Sequence, residues 1–183
     1  SVTLSTLTPD SYYDFYVRSV CGYDNSPWSF VLSFKTPCSP IALPFYENFD
    51  AYVGATTAAN SGEISSCEFK GTNNSTEYPH VYSSTSYTSN NLRFYTTTAY
   101  YSYFALPMFT DSVHNISVTF DLLKTSANYG HIYVGLMSDP NDIATFTKVA
   151  DAKVIDLNNW EQFEVTFDTC LNMGQYITFF APD

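Results

Sequence analysis

Apolar residues recur at every second position in run after run of this chain. Ile116, Val118, Phe120 and Leu122 alternate with polar neighbours, as do Ile132, Val134 and Leu136, then Phe163, Val165 and Phe167, then Ile177 and Phe179. A period of two marks a strand with one face buried and the other wet. Runs of this kind, spaced roughly 8–15 residues apart with turn residues between them, predict an antiparallel sandwich. Composition agrees: 16 Tyr, 15 Phe and 2 Trp make 18% of the 183 residues, and rings with Thr suit pleated, half-buried surfaces. The expected fold class is all-β. One stretch reads both ways. Ile143, Phe146, Val149 and Ala150 have helical spacing, with Asp139 as N-cap and Pro140 at the first helical position. Thr145-Phe146-Thr147 favours extended chain, so a single turn over 140–144 followed by a strand is expected.

The charge excludes several functions. The formal net charge is −11, and the seven basic residues, Arg18, Lys35, Lys70, Arg93, Lys124, Lys148 and Lys153, stand singly. Phosphate binding needs them clustered, so no nucleic-acid partner is expected. No apolar run approaches the roughly 20 residues of a membrane span, and an acidic surface gains nothing from anionic lipid. A basic leader with an apolar core is missing, which suggests an internal or processed segment. Cys21, Cys38, Cys67 and Cys170 show no C-x-x-C spacing, which argues against zinc and for disulfides in an oxidising compartment.

Catalytic signals are missing too. Neither G-x-S-x-G nor H-E-x-x-H occurs, and His80, His114 and His131 are far apart, in or beside polar strand ends. Glu161 and Glu164 share one run, but their odd offset places them on opposite faces. A non-enzymatic role is expected.

Residues 1–37 read as three strands. Leu7-Thr8-Pro9-Asp10-Ser11 is turn chemistry, Tyr12 to Cys21 alternates with Tyr13, Phe15 and Val17 on one face, and Trp28 to Thr36 returns after a loop from Gly22 to Pro27. Leu7, Pro9 and Tyr13 have the spacing of a tyrosine corner, in which the hydroxyl ties back to the preceding backbone. With Val20-Cys21-Gly22, Trp28-Ser29 and Phe34-Lys35-Thr36-Pro37-Cys38, this segment resembles strands E, F and G of a fibronectin type III module, in the flavour of Bacteroidetes surface proteins. The resemblance implies a partial sandwich whose strands A to D lie elsewhere, in a longer chain or in strands donated by another subunit.

Residues 38–43 form a linker, and 44–183 a second module. Pro44-Phe45-x-Glu47-Asn48-Phe49-Asp50, Asn91-Leu92-Arg93-Phe94, Ala105-Leu106-Pro107, Val118-x-Phe120-Asp121, Val134-Gly135-Leu136-Met137-Ser138-Asp139-Pro140 and Gly174-Gln175-Tyr176-Ile177-x-Phe179 resemble MAM-like jelly rolls of the cleaved-adhesin, choice-of-anchor class. Cys67-Glu68-Phe69 stands where such domains often carry Cys-Trp, and a closing strand is not seen after Asp183. Strands are expected at Phe45–Phe49, Tyr78–Ser83, Asn91–Tyr95 and Tyr100–Leu106.

The resemblance implies a secreted or cell-surface adhesion or carbohydrate-associated module, with a glycan or protein of the host or bacterial surface, or neighbouring modules, as partner. The rival readings are a structural spacer and an accessory domain of a secreted protease or glycosidase. Hard cations want several oxygen ligands, and jelly rolls often hold calcium where first and last strands meet, which points to Glu47 and Asp50. Asp139-Pro140-Asn141-Asp142 lacks the Gly and distal Glu of an EF-hand loop. Tyr100, Tyr101, Tyr103 and Phe104 are the densest ring cluster; strand alternation sends two of the four to the core and leaves the others for a sugar face. Asp111-Ser112-Val113 resembles a Bacteroidetes O-glycan acceptor, with the sugar on Ser112. Cys38, in the linker, and Cys67, after the loop following the first jelly-roll strand, are expected to pair, with Cys21 pairing outside this segment.

Overall fold

The computed structural model describes residues 3–73, 78–96, 99–127, 130–169 and 174–182. It is all-β: its sheets are antiparallel, and the described helical residues form only short 3-10 turns. No helix among them is long and apolar enough to cross a membrane. The chain divides into two compact units, Ser1–Ser39 and Pro40–Asp183.

In the smaller unit, β1 (Tyr12–Phe15) pairs with a strand at Leu32–Lys35 in the register Tyr13↔Phe34. Between them, β2 (Val20–Cys21) and β3 (Asp24–Asn25) close a tight hairpin through Gly22, whose φ of +62° suits a residue without Cβ. Leu32–Lys35 is therefore β4. The tyrosine corner is present, with Thr8 N donating to Tyr13 Oη at 2.8 Å. The strand expected from Trp28 is shorter than its apolar pattern suggested. Ser29 N still bonds Val17 O at 2.8 Å and Ser26 N bonds Ser19 O at 3.0 Å, but the return bonds from Val17 N and Ser19 N go to the two serine hydroxyls, so side chains take half of the ladder there. No described residue of this unit is buried.

The larger unit holds β5 (Phe69–Thr72), β6 (His80–Tyr82), β7 (Asn91–Arg93), β8 (Ser102–Ala105), β9 (Ser117–Leu122), β10 (His131–Met137), β11 (Thr147–Lys153), β12 (Glu161–Thr166) and β13 (Tyr176–Ala181). A five-stranded sheet has the order β11-β10-β13-β8-β5, while β9–β12 and β6–β7 are separate pairs. Alternation decides the faces. Ile132, Val134 and Leu136 of β10, Ile177 of β13 and Phe104 of β8 enter one core with Val165 of β12 and Phe167 beyond it. Phe120 of β9 meets Phe179 of β13 edge-on at 5.0 Å, which closes the two β layers on each other.

Two expectations need correction. Residues 45–49 form no strand: Phe49 sits at φ +63°, and its N–H is taken by Glu47 Oε1 at 2.5 Å. Extended chain is found earlier, where Ile41 bridges Phe109. The expected turn does precede β11, as a 3-10 turn at Ile143–Thr145, but its cap is Asp142, which accepts from Ala144 N at 3.0 Å. Asp139 instead accepts from Asn141 N. Cys38 and Cys67 form the expected disulfide, which closes a loop of a size worth roughly 3–4 kcal/mol in the chain-entropy picture. Cys21 is exposed and free, and Cys170 lies outside the described residues.

Candidate binding surface

The five-stranded sheet has a second face, built from the residues that alternate with the core. On it, β8 contributes Tyr103 and, just before the strand, Tyr101; β10 contributes Tyr133; β13 contributes Tyr176 and Phe180. Phe180 is the hub. Its ring lies 5.7 Å from Tyr101, 6.2 Å from Tyr133 and 5.1 Å from Phe146, and all four rings are half-buried. Lys148 sits 4.2 Å over the Tyr133 ring, and His131 packs edge-on against it at 5.1 Å.

This placement divides the expected Tyr100–Tyr101–Tyr103 cluster. Tyr103 is only 5% exposed and lies over Gly71, where a Cβ would run into its ring, so it is buried on this second face and offers a ligand almost no surface. Burial pushes its phenol pKa up, aided by Tyr101, Asp139 and Asp142. Phe104 is buried on the opposite face. Tyr101 joins the ring platform, and Tyr100 stands 39% exposed.

A second aromatic series was not legible in the sequence. Tyr95, Tyr78, His80, Tyr82, Tyr87 and Trp160 follow one another with centroid separations of 5.2, 4.8, 6.2, 6.0 and 6.1 Å. Five of the six come from the β6–β7 hairpin and its flanks, but Trp160 comes from far along the chain, and the aromatic excess was the only signal. His80 opens β6 and so stands at a strand end, but that end is buried rather than polar. It is buried, and neither ring nitrogen has a hydrogen-bond partner among the described residues. Burial, then Arg93 and Lys70, push its pKa down to about 4, so the imidazole is neutral.

The proposed calcium ligands are engaged with the protein. Glu47 accepts from Phe49 N and from Tyr52 Oη at 3.1 Å; Asp50 accepts from Asn90 N at 2.8 Å and Asn48 Nδ2 at 3.0 Å. Each of the four carboxylate oxygens thus accepts a hydrogen bond. Within Pro40–Asp183, no three described His, Asp or Glu ligand atoms come within 4.8 Å of one another. Two carboxylates fall short of the six to eight oxygens that calcium takes, so backbone carbonyls or water would have to supply the rest of such a site.

Instead, Glu47 belongs to a proton-sharing group with Tyr52 and Glu68. Tyr52 Oη lies 3.1 Å from Glu47 and 3.3 Å from Glu68, yet a phenol has one hydrogen to give. One carboxyl must bring its own proton. Glu68 is the buried one, and burial followed by the charge of Glu47 pushes its pKa up to about 7. Burial and the two carboxylates push the Tyr52 phenol up as well. Tyr52 stands between the two carboxyls, and Glu68 is buried. Ser112 is exposed ahead of the 3-10 turn Val113–Asn115, and its hydroxyl makes no capping bond.

No family model matches the chain, and neither a curated protein nor a solved structure does.

Proposed function

We propose that the chain is a non-catalytic extracellular adhesion or binding module of a larger surface protein, taking a surface glycan or protein as partner. The observation that carries this reading is the ring platform of Tyr101, Tyr133, Phe146 and Phe180 on one face of a rigid sheet. Half-exposed rings held by strands offer flat apolar area at low entropic cost, which suits both sugar faces and protein side chains. The Cys38–Cys67 disulfide supports an oxidising, extracellular setting. The tyrosine corner supports the fibronectin-like reading of residues 1–37, whose open apolar face neighbouring modules or a donated strand would cover.

The test is retention of the bead-coupled chain on a glycan array, on bacterial and host cells and on matrix proteins. The chain is expected to be retained on at least one of them, and Tyr101→Ala with Tyr133→Ala to lower retention roughly tenfold, as for loss of aromatic anchors. Absence of retention on every surface would leave the spacer reading in its place.

A further inference from the structure

At one end of the five-stranded sheet, where β10 runs out and β13 begins, the larger unit encloses a half-open cavity of about 710 Å³. That lies within the range of small-ligand sites. Its floor is apolar: Phe109 and Val113 are buried, and Tyr176 is held edge-on by Phe69 at 5.6 Å. Its rim is polar. Ser112, Ser138 and Gln175 reach it with side chains that make no hydrogen bond to a described residue. Asp111 makes only a long one, from Thr110 Oγ1 at 3.4 Å.

His114 supplies a directed group. Its Nδ1 lies 3.3 Å from the Phe167 carbonyl, which can only accept, so Nδ1 carries a hydrogen, and in the tautomer with that one hydrogen Nε2 is an acceptor. The walls are fixed before any ligand arrives. Ile41 and Thr110 clamp the Met108–Thr110 segment through Ile41 N to Met108 O at 2.9 Å and Thr110 N to Ile41 O at 3.0 Å. On the other side, Gln175 N bonds Met137 O at 3.0 Å, and Gly174, at φ +126°, leaves no room for a Cβ against that carbonyl.

We propose that this cavity binds the end of a neutral glycan. Hydroxyl and amide groups that both donate and accept, with a carboxylate that accepts, stand around an apolar floor and match a sugar's polar edge and apolar face. Among the described residues no Lys or Arg lines the cavity, and Asp111 adds a carboxylate, so anionic sugars and phosphorylated ligands are disfavoured. The site is separate from the ring platform, and the inference rests on the binding-module reading.

The full 183-residue chain is titrated by calorimetry and saturation-transfer NMR with neutral gluco-, galacto-, manno- and chito-oligosaccharides. A sialylated trisaccharide, a sulfated disaccharide and an uncharged peptide serve as comparisons. At least one neutral series is expected to bind, with Gln175→Ala weakening it roughly tenfold and Ser112→Trp abolishing it by filling the mouth. The exposed control Ile155→Ser is expected to leave binding unchanged. Both pocket positions are exposed, so thermal midpoints should not move. Saccharide binding that survives both pocket variants but falls with Tyr101→Ala would overturn the pocket and keep the binding module. So would preference for the anionic sugars or the peptide, or retention on cells without any saccharide binding. Silence on saccharides, cells and matrix alike overturns both.

Discussion

In the smaller unit Phe15 and Trp28 stand 38% and 58% exposed, whereas Phe104 and Phe167 of the larger unit are at 1% and 0%. Both units ladder their strands antiparallel, and the smaller one adds a tyrosine corner, the Tyr13–Phe34 stack at 5.9 Å and an Arg18 guanidinium 4.5 Å over Trp28. The difference lies in what the strands cover. β1 and β4 have no second layer among the described residues of their unit, so Tyr13, Phe15, Val17, Trp28 and Phe34 share one thin surface. Full burial of such a set is worth on the order of 10 kcal/mol, as much as the stability of a typical domain. Hydrogen bonds between exposed strands exchange protein partners for water and leave little net gain. Regular structure and stability are thus separable in one chain.

The largest effect follows directly. Residues 38–183, with the disulfide kept, are expected to unfold in one cooperative transition at a midpoint close to that of the full chain. Native-state hydrogen exchange on the full chain should show β1 and β4 amides opening with almost no free-energy cost, while β10 and β13 approach the global value. Protection across Tyr12–Cys21 as strong as that in β10 would break the comparison, because the small unit would then have found a covering layer.

The contrast also explains what the sequence could and could not reveal. Alternation located β9, β10, β12 and β13 because each turns its alternate apolar residues toward the core. It missed β5, whose Phe69-Lys70-Gly71-Thr72 carries one large apolar side chain and a glycine kept small by the Tyr103 ring. It misplaced a strand at 45–49, where aromatic spacing was right but side-chain acceptors turned the backbone. The Cys38–Cys67 pairing was legible because it depends on chain order. Of the ring platform only Tyr101 was foreseen. Its partners Tyr133, Phe146 and Phe180 come from three distant segments, and sheet order, which no local pattern encodes, brings them together. The same holds for Glu68, whose proton depends on a carboxylate 21 positions earlier in the chain.

An interior lets the larger unit hold ionisable groups neutral, and this gives a smaller effect with a definite sign. Glu68 is raised to about 7 from an ordinary 4.5, so its stabilising contribution is complete below pH 4.5 and is lost as pH rises through 7. His80 is lowered to about 4 from an ordinary 6.5, so its contribution is complete above 6.5 and is lost as pH falls through 4. Over the shared window the two slopes oppose each other, and wild-type stability should vary little. Glu68→Gln keeps the neutral shape and removes the titration. The variant is expected to gain up to about 3 kcal/mol over wild type above pH 7 and to show the His80 slope alone, rising from pH 4 to 6.5. Denaturant midpoints measured across pH 4 to 8 decide it; a variant profile parallel to wild type would remove the buried-acid assignment.

The smallest effect returns to the exposed unit. Tyr13→Phe deletes the hydroxyl that accepts from Thr8 N and leaves the ring stacked on Phe34. A hydrogen bond of this kind contributes about 1 kcal/mol where it forms. In a sealed domain that loss would lower the global melting point. Here the bond is exposed and ties the turn to β1 in a unit with no buried residue among those described, so it steadies only the turn from Leu7 to Tyr13. The global midpoint should stay fixed while exchange at Thr8 and its neighbours speeds up about fivefold, the rate equivalent of that free energy. A drop in the global midpoint on this one substitution would mean that the two units unfold together, and that the smaller one draws on an interior after all.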